Sequence, residues 1–156
     1  MQPTIILAAE ESALHLKDQL VLFMQKKGYD FTDVTKQTSM DYIQAGSAVG
    51  KAISEGTFTF GIVLCGSGMG VNLVANRYPR VYCGLCESLH TAKMARTITN
   101  CNVLAMGANI VAYDLACRMT EAFVETSFTE GFDDSTAQEL KQYFSQMSTV
   151  DTQTHQ

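Results

Sequence analysis

The stretch IVLCGSGMG, residues 62 to 70, decides the fold class of this chain. Its apolar start extends a run that begins at Phe60, and a short apolar run of this kind predicts a buried strand over residues 60–64. Three glycines spaced two residues apart follow, and a helix is predicted over residues 69–76. A buried strand that turns through glycines directly into a helix is the building unit of parallel α/β sheets.

The same alternation of strand and helix extends over the rest of the chain. Strands are predicted at residues 4–9, 29–34, 60–64, 81–85 and 102–106, and helices at 11–27, 41–55, 69–76, 88–99, 113–126 and 135–147. Because parallel strands need crossover connections, this order predicts an α/β fold with a five-stranded parallel sheet covered on both faces, a three-layer sandwich. We expect one domain over residues 1–147 and a frayed polar tail over residues 148–156.

Composition excludes several classes of function. The chain has 156 residues and a net charge of -5 without a basic cluster, so nucleic acid is not an expected partner. No apolar run reaches the roughly 18 residues that span a bilayer, and the N-terminus lacks the basic segment of a secretory signal. Five cysteines, an odd number in a chain with a sizeable core, indicate reduced thiols. We therefore expect a cytoplasmic protein that does not bind membranes.

Cys65 stands at the end of a predicted buried strand, where parallel sheets bind their ligands. Gly66, Gly68 and Gly70 allow backbone N–H groups to approach a bound oxygen, and the following helix directs its positive end to the same place. A thiolate beside such donors suits a base that removes a proton next to a carbonyl, because the donors can then hold the enediolate oxygen. The competing interpretation is a buried structural cysteine before a turn.

Other motifs support no cofactor and no metal. The glycines lack the lysine of a phosphate-binding P-loop, and their spacing and position differ from those of the dinucleotide fingerprint. Cys83 and Cys86 fall three residues apart in a predicted strand, so their side chains should point to opposite faces rather than share a metal.

His90 is a further candidate for the cleft. Glu10 and Glu11 follow the first strand, either as a capping pair or as groups that contact a ligand.

The segments CGSGMG (residues 65–70), Asn76-Arg77 and NVLAMGA (residues 102–108) resemble the type B ribose-5-phosphate isomerase and galactose-6-phosphate isomerase family. The resemblance covers residues 5 to about 128. It implies a Rossmann-like sheet and an aldose–ketose isomerase that acts on a phosphorylated sugar without a metal or other cofactor. It also implies a homodimer or homotetramer, or a hetero-oligomer with a related subunit, with active sites at a subunit interface.

The resemblance assigns roles to individual positions. Cys65 matches the catalytic base and Ser67 the hydroxyl beside it, while the backbone of Gly66, Gly68, Met69 and Gly70 matches the loop that stabilises the enediolate. These two matches agree with the chemistry inferred above for the thiol and its glycine-rich loop.

Three further positions match substrate-binding positions of the family. Tyr42 matches a tyrosine of the substrate pocket. Glu10 and Glu11 occupy the position of an Asp-His pair, so the first keeps a carboxylate and the second puts a negative charge where an imidazole contacts substrate.

Two other positions depart from the family. Ile98 stands where the ring-opening histidine is expected, and Asp133 and Asp134 fall in the segment whose arginines bind phosphate. Two aspartates there would repel a phosphate. The pattern is most similar to the B-type subunit of galactose-6-phosphate isomerase, which the resemblance pairs with an A-type subunit.

Two alternatives remain open at the level of the sequence. Arg77 and Arg80 follow the glycine-rich loop closely enough to be internal substitutes for the missing phosphate-binding arginines. In the second alternative, the chain is a catalytically degenerate member that binds a sugar or an acid, or that acts as an assembly subunit.

Overall fold

A computed structural model describes residues 2–35 and 39–155, and within them the chain forms a five-stranded parallel sheet. The strands are β1 (Thr4–Ala9), β2 (Asp30–Asp33), β3 (Phe60–Cys65), β4 (Cys83–Leu85) and β5 (Val103–Gly107). They lie in the order β2-β1-β3-β5-β4. The predicted α/β fold class is confirmed.

The helices follow the predicted order, with small shifts at their ends. They are α1 (Leu14–Lys27), α2 (Tyr42–Ser54), α3 (Met69–Ala75), α4 (Leu89–Thr97), α5 (Tyr113–Glu125) and α6 (Asp134–Thr154). A 3-10 turn over Glu11–Ala13 replaces the first turn predicted for α1. Ser88 caps α4 by accepting a hydrogen bond from the Thr91 N–H, at 3.1 Å.

Helices cover both faces of the sheet. On one face α1, α4 and α5 bury a core around Leu20, Leu104 and Phe123. On the other, α2 and α3 bury a second core that includes Val49 and Val63. Every residue of β3 is buried because this central strand is covered on both faces. The three-layer arrangement follows from the two cores.

The expected frayed tail is wrong for residues 148–154, because α6 continues to Thr154. The Tyr82 hydroxyl lies 3.2 Å from the Ser148 hydroxyl, and the Arg80 N–H donates to the Asp151 carboxylate at 2.8 Å. These partners are distant in sequence, so the polar composition of the segment gave no sign of them. Gln156, the end of the predicted tail, lies outside the described residues.

None of the helices within the described residues combines the length and the apolar character that crossing a membrane requires.

Candidate active site

The order of the strands places the site between β1 and β3. The chain leads from β1 outward to β2 on one side, and from β3 toward β5 and β4 on the other. Open parallel sheets bind ligands at the carboxyl ends of the strands where the order reverses in this way. A crevice of about 400 Å³ lies there, lined by Glu10, Ser12, Tyr42, Cys65, Gly66, Ser67 and Gly70.

Cys65 ends β3 at the floor of this crevice, and its residue surface is 6% exposed. The Gly68 N–H donates to its sulfur at 3.1 Å. Gly68 has a φ of 78°, a left-handed conformation that glycine adopts without strain, and it is the residue from which α3 begins. The backbone that turns from strand to helix therefore supplies a hydrogen-bond donor to the sulfur.

Ser67 lies beside the thiol in the same loop, half-buried. Its oxygen accepts a hydrogen bond from the Met69 N–H at 3.3 Å, which leaves the hydroxyl hydrogen available for a ligand oxygen. The Met69 side chain itself is 57% exposed and does not line the crevice. Met69 therefore belongs to the site through its backbone.

The predicted pair of glutamates is separated by the structure. Glu10 lines the crevice, and its Oε2 accepts a hydrogen bond from the Ser12 hydroxyl at 2.5 Å. Glu11 begins the 3-10 turn with an exposed side chain outside the crevice lining. The turn directs consecutive residues to different sides, so only the first carboxylate shares the crevice with Cys65.

Tyr42 forms a wall of the crevice from the first turn of α2, which Asp41 caps by accepting the Gln44 N–H at 2.7 Å. Its ring lies against Gly70, where an added Cβ would be 2.7 Å from the ring atom Cδ2. The third glycine of the loop therefore makes room for the aromatic ring, whose residue surface is 47% exposed.

Two polar residues near Gly66 were not predicted as site residues. An added Cβ at Gly66 would lie 3.1 Å from both the Ser12 hydroxyl and the Asn109 side-chain amide nitrogen. The Asn109 N–H also donates to the Gly66 carbonyl, at 3.0 Å. Ser12 had a weak signal, since it follows the glutamate pair. Asn109 had only its place directly after the last strand.

Arg77 and Arg80, the alternative phosphate-binding residues, lie at the amino edge of the sheet, away from Cys65. Because α3 starts at the carboxyl edge beside Cys65 and runs back across the sheet, Arg77 and Arg80 come after its end at the amino edge. The Arg80 guanidinium donates to the Ser54 carbonyl. The six residues of β3 separate the two edges by roughly 20 Å. The alternative that Arg77 or Arg80 substitutes within one chain is wrong.

Ile98 and the aspartate pair also lie at the amino edge. Ile98 is the C-terminal cap of α4, and the Thr129 N–H donates to the carbonyl of the preceding residue, Thr97, at 3.0 Å. Asp133 caps α6 by accepting the N–H and hydroxyl of Thr136, at 3.0 and 2.9 Å. These hydrogen bonds hold the pKa of Asp133 below its usual value. In this chain, the two departing positions are therefore remote from Cys65.

The remaining candidates lie outside the crevice lining. His90 is exposed in the first turn of α4. Cys83 packs in the core under α2 and α3, and Cys86 in the core on the opposite face, as predicted. Burial raises the pKa of the Cys83 thiol and raises that of Cys86 to about 11. The described residues contain no group of three His, Cys, Asp or Glu side chains placed to hold a metal ion.

The chain is similar in sequence to known sugar isomerases. The chain is 33% identical over 140 residues to 4-deoxy-4-sulfo-D-erythrose isomerase of Clostridium sp. (strain MSTE9), covering 88% of each chain. It is 32% identical over 127 residues to galactose-6-phosphate isomerase subunit LacA of Streptococcus equi subsp. zooepidemicus, covering 81% of this chain and 89% of that one.

Among solved structures, ribose-5-phosphate isomerase B of Clostridium thermocellum superposes with a TM-score of 0.85 at 26% identity, covering 96% of this chain and 98% of that one. The family model described as Ribose/Galactose Isomerase matches residues 5–142. The crevice with its cysteine thus lies within the matched region, and the chain belongs to the Ribose/Galactose Isomerase family, whose members are aldose–ketose sugar isomerases.

Proposed function

We propose that this chain isomerises a small sugar that carries a tetrahedral anionic group, with Cys65 as the base. The observation that carries the proposal is the 3.1 Å hydrogen bond from the Gly68 N–H to the Cys65 sulfur. It places a basic atom and the backbone N–H groups of the loop side by side at the carboxyl edge of the sheet. Proton abstraction next to a carbonyl needs both, a base for the proton and donors for the oxyanion.

The reaction is a proton transfer through an enediolate. The Cys65 thiolate takes the proton from carbon 2 of the open-chain aldose, and the electron pair moves onto the carbonyl oxygen at carbon 1. Backbone N–H groups of the glycine-rich loop stabilise the oxyanion while it is formed. The thiol then returns the proton to carbon 1, and the hydroxyl proton on oxygen 2 moves to oxygen 1. The product is the ketose, with atoms and charge conserved.

Two side chains of the crevice are suited to the exchange of hydroxyl protons. Ser67 has a free hydroxyl hydrogen, because its oxygen accepts the Met69 N–H. Glu10 uses Oε2 to accept the Ser12 hydroxyl, which leaves Oε1 to accept a hydrogen bond from a sugar hydroxyl. Tyr42 supplies an aromatic wall with an exposed face. We assign substrate binding to Glu10 and Tyr42, and the proton shuttle to Ser67.

The anionic group of the substrate lacks a partner in this crevice. None of the residues that line it within the described chain is a lysine, arginine or histidine. An anion taken out of water needs charged or multiple hydrogen-bond donors. The sulfonated substrate named for one relative has a single negative charge where a phosphate has nearly two, and therefore needs fewer cationic donors. A sulfonate is accordingly a candidate beside the phosphate.

We assign the missing donors to another subunit. Four apolar side chains near the crevice mouth, on α2 and α3, are between 47% and 60% exposed: Tyr42, Ile43, Met69 and Leu73. A second chain that buried these side chains would cover the site. A copy of this chain would bring Ile98, Asp133 and Asp134 from its amino edge, so a related subunit with a histidine and arginines is the better complement. One relative is named as a subunit of galactose-6-phosphate isomerase, LacA.

The decisive assay compares this chain alone, a related subunit alone and their mixture. Ribose 5-phosphate, galactose 6-phosphate and a sulfonated four-carbon sugar serve as substrates. We expect little activity from the chain alone and full activity from the mixture. Strong activity of the homogeneous chain would refute the need for a second subunit, and inactivity of every mixture would favour the assembly-subunit alternative.

Two cysteine variants test the base in the active mixture. Cys65→Ser should lower turnover by roughly 100- to 10,000-fold, the usual contribution of a general base. Cys117→Ser removes another buried thiol from the opposite face of the sheet and should keep turnover within about threefold of wild type. Unchanged turnover of Cys65→Ser would exclude the mechanism.

A further inference from the structure

The glycine-rich loop packs against the end of β5. Cys65 pairs with Gly107 in the sheet, and backbone hydrogen bonds between the two chain segments continue beyond this pair. The Ala108 N–H donates to the Cys65 carbonyl at 2.9 Å, and the Asn109 N–H donates to the Gly66 carbonyl at 3.0 Å. The last residue of β3 and the first glycine of the loop are therefore held by backbone hydrogen bonds from the two residues that follow β5.

Two glycines allow the loop to lie directly on this strand. An added Cβ at Gly107 would be 2.6 Å from both the carbonyl carbon and the oxygen of Ser67. In the reverse direction, an added Cβ at Gly68 would be 2.8 Å from the carbonyl carbon of Met106 and 2.9 Å from the Gly107 nitrogen. Backbone atoms cannot rotate out of such contacts. The Ser67–Gly68 peptide therefore fits against β5 only because positions 68 and 107 are both glycine.

Gly107 is required for space rather than for its backbone conformation. The glycines with positive φ are Gly28, Gly56, Gly68 and Gly131, and Gly107 is not among them. An alanine is therefore compatible with the local backbone at Gly107, and only the contact with Ser67 opposes it. To reach an ordinary carbon–carbon separation of about 3.5 Å, the Ser67–Gly68 peptide would have to move by roughly 1 Å.

That peptide contains the N–H that donates to the Cys65 sulfur at 3.1 Å. We propose that Gly107 is a positioning residue for the Cys65 site, since it holds the Ser67–Gly68 peptide where its N–H binds the sulfur. The inference rests on the proposed role of Cys65. Gly107 contacts neither substrate nor the reacting atoms, and it acts through the loop. A displacement of about 1 Å at a catalytic group can reduce the rate on the order of 100-fold.

Gly107→Ala tests this inference against a matched control. Gly61→Ala also adds a methyl group to a fully covered glycine of the sheet, where the new Cβ would lie 2.4 Å from Val49 Cγ1. Gly61 lies near the start of β3, at the opposite end from Cys65. The two variants therefore share the cost of overpacking, but only Gly107→Ala displaces the loop.

The first readout is amide hydrogen exchange of Gly68, followed by NMR on full-length protein labelled with ¹⁵N-glycine, which gives only 11 glycine signals in the wild type and one fewer in each glycine variant. We expect Gly68 exchange to be at least tenfold faster in Gly107→Ala than in Gly61→Ala. The second readout is steady-state kinetics of the active assembly. We expect kcat to fall at least tenfold in Gly107→Ala with KM within about threefold of wild type, and neither constant to change beyond about threefold in Gly61→Ala.

A second variant covers the case in which Gly107→Ala does not fold. Leu85 packs on the same side of Gly68 as Met106 and Gly107, with its Cδ1 2.6 Å from the Cβ position, and it is only half-buried. Leu85→Ala should loosen the same peptide and give the same two changes. Unchanged Gly68 exchange, or unchanged kcat when Gly68 exchange is faster, would overturn the inference. If Cys65→Ser stays active while Gly107→Ala still accelerates Gly68 exchange, the proposed role of Cys65 as the base is refuted. The packing of the loop against Gly107 is then still supported.

Discussion

Replacing Arg96 by methionine is expected to lower the free energy of unfolding by about 3 kcal/mol. Arg96 is 7% exposed and faces no carboxylate among its hydrogen-bond partners in the described residues. Its guanidinium donates to the carbonyls of Thr126 and Cys101, at 3.3 and 2.5 Å, and to the Asn100 side chain at 2.9 Å. Burial lowers the pKa of Arg96.

The magnitude follows from the contacts that methionine cannot replace. Two backbone carbonyls lose a donor, at about 1–3 kcal/mol each. The guanidinium carbon also lies 4.8 Å from the ring centre of Phe60 and 5.6 Å from that of Phe123, and such contacts contribute about 0.5–1 kcal/mol each. Relief from burying a charge offsets part of this loss, which leaves about 3 kcal/mol.

Urea and thermal unfolding of the two proteins measure the effect. For a chain of this length, a loss of 3 kcal/mol corresponds to a melting temperature lower by about 6–12 °C. Arg118→Met, at an exposed position of α5, is the control and should remain within about 0.5 kcal/mol of wild type. An Arg96→Met protein as stable as wild type would show that the desolvation cost of the guanidinium equals its contacts, and would refute this reasoning.

Two further predictions concern a buried thiol and the wall of the crevice. Because the pKa of Cys86 is raised to about 11 in the folded state, its contribution to stability is complete below the unfolded value of about 8.5 and is lost as the pH rises toward 11. Unfolding in urea between pH 8 and 11 should thus show a shallower decline in Cys86→Ala, and an identical decline would contradict the assignment. Tyr42→Ala should raise KM about tenfold with little change in the melting temperature, since the ring is half exposed; an unchanged KM would remove Tyr42 from the substrate site.

The parts of the site that depend on neighbouring residues could be predicted from the sequence. The apolar run before Cys65 and the glycines after it predict a strand, a turn and a helix, because each depends on side chains within a few positions. The departures at Ile98, Asp133 and Asp134 are equally visible in the sequence. Through the resemblance to the family, they predict that this chain lacks the expected histidine and arginines.

Distances across the sheet could not be predicted in this way. The sequence placed Arg77 and Arg80 near Cys65 because few residues separate them, but α3 carries both to the opposite edge. Similarly, the polar segment after Met147 gave no sign of the contacts that Tyr82 and Arg80 make with α6. In both cases the deciding partners are remote in the chain.

The sequence by itself determined the order of the elements and the residue at the end of the central strand, since local periodicity and turn residues set both. Only the tertiary structure decided which strands are neighbours, and hence that Glu10 shares a crevice with Cys65 while Glu11 does not. It also decided that Gly107 lies against Ser67. The physical reason is that strand pairing and close packing depend on shape and burial between residues far apart in the chain, which no local pattern records.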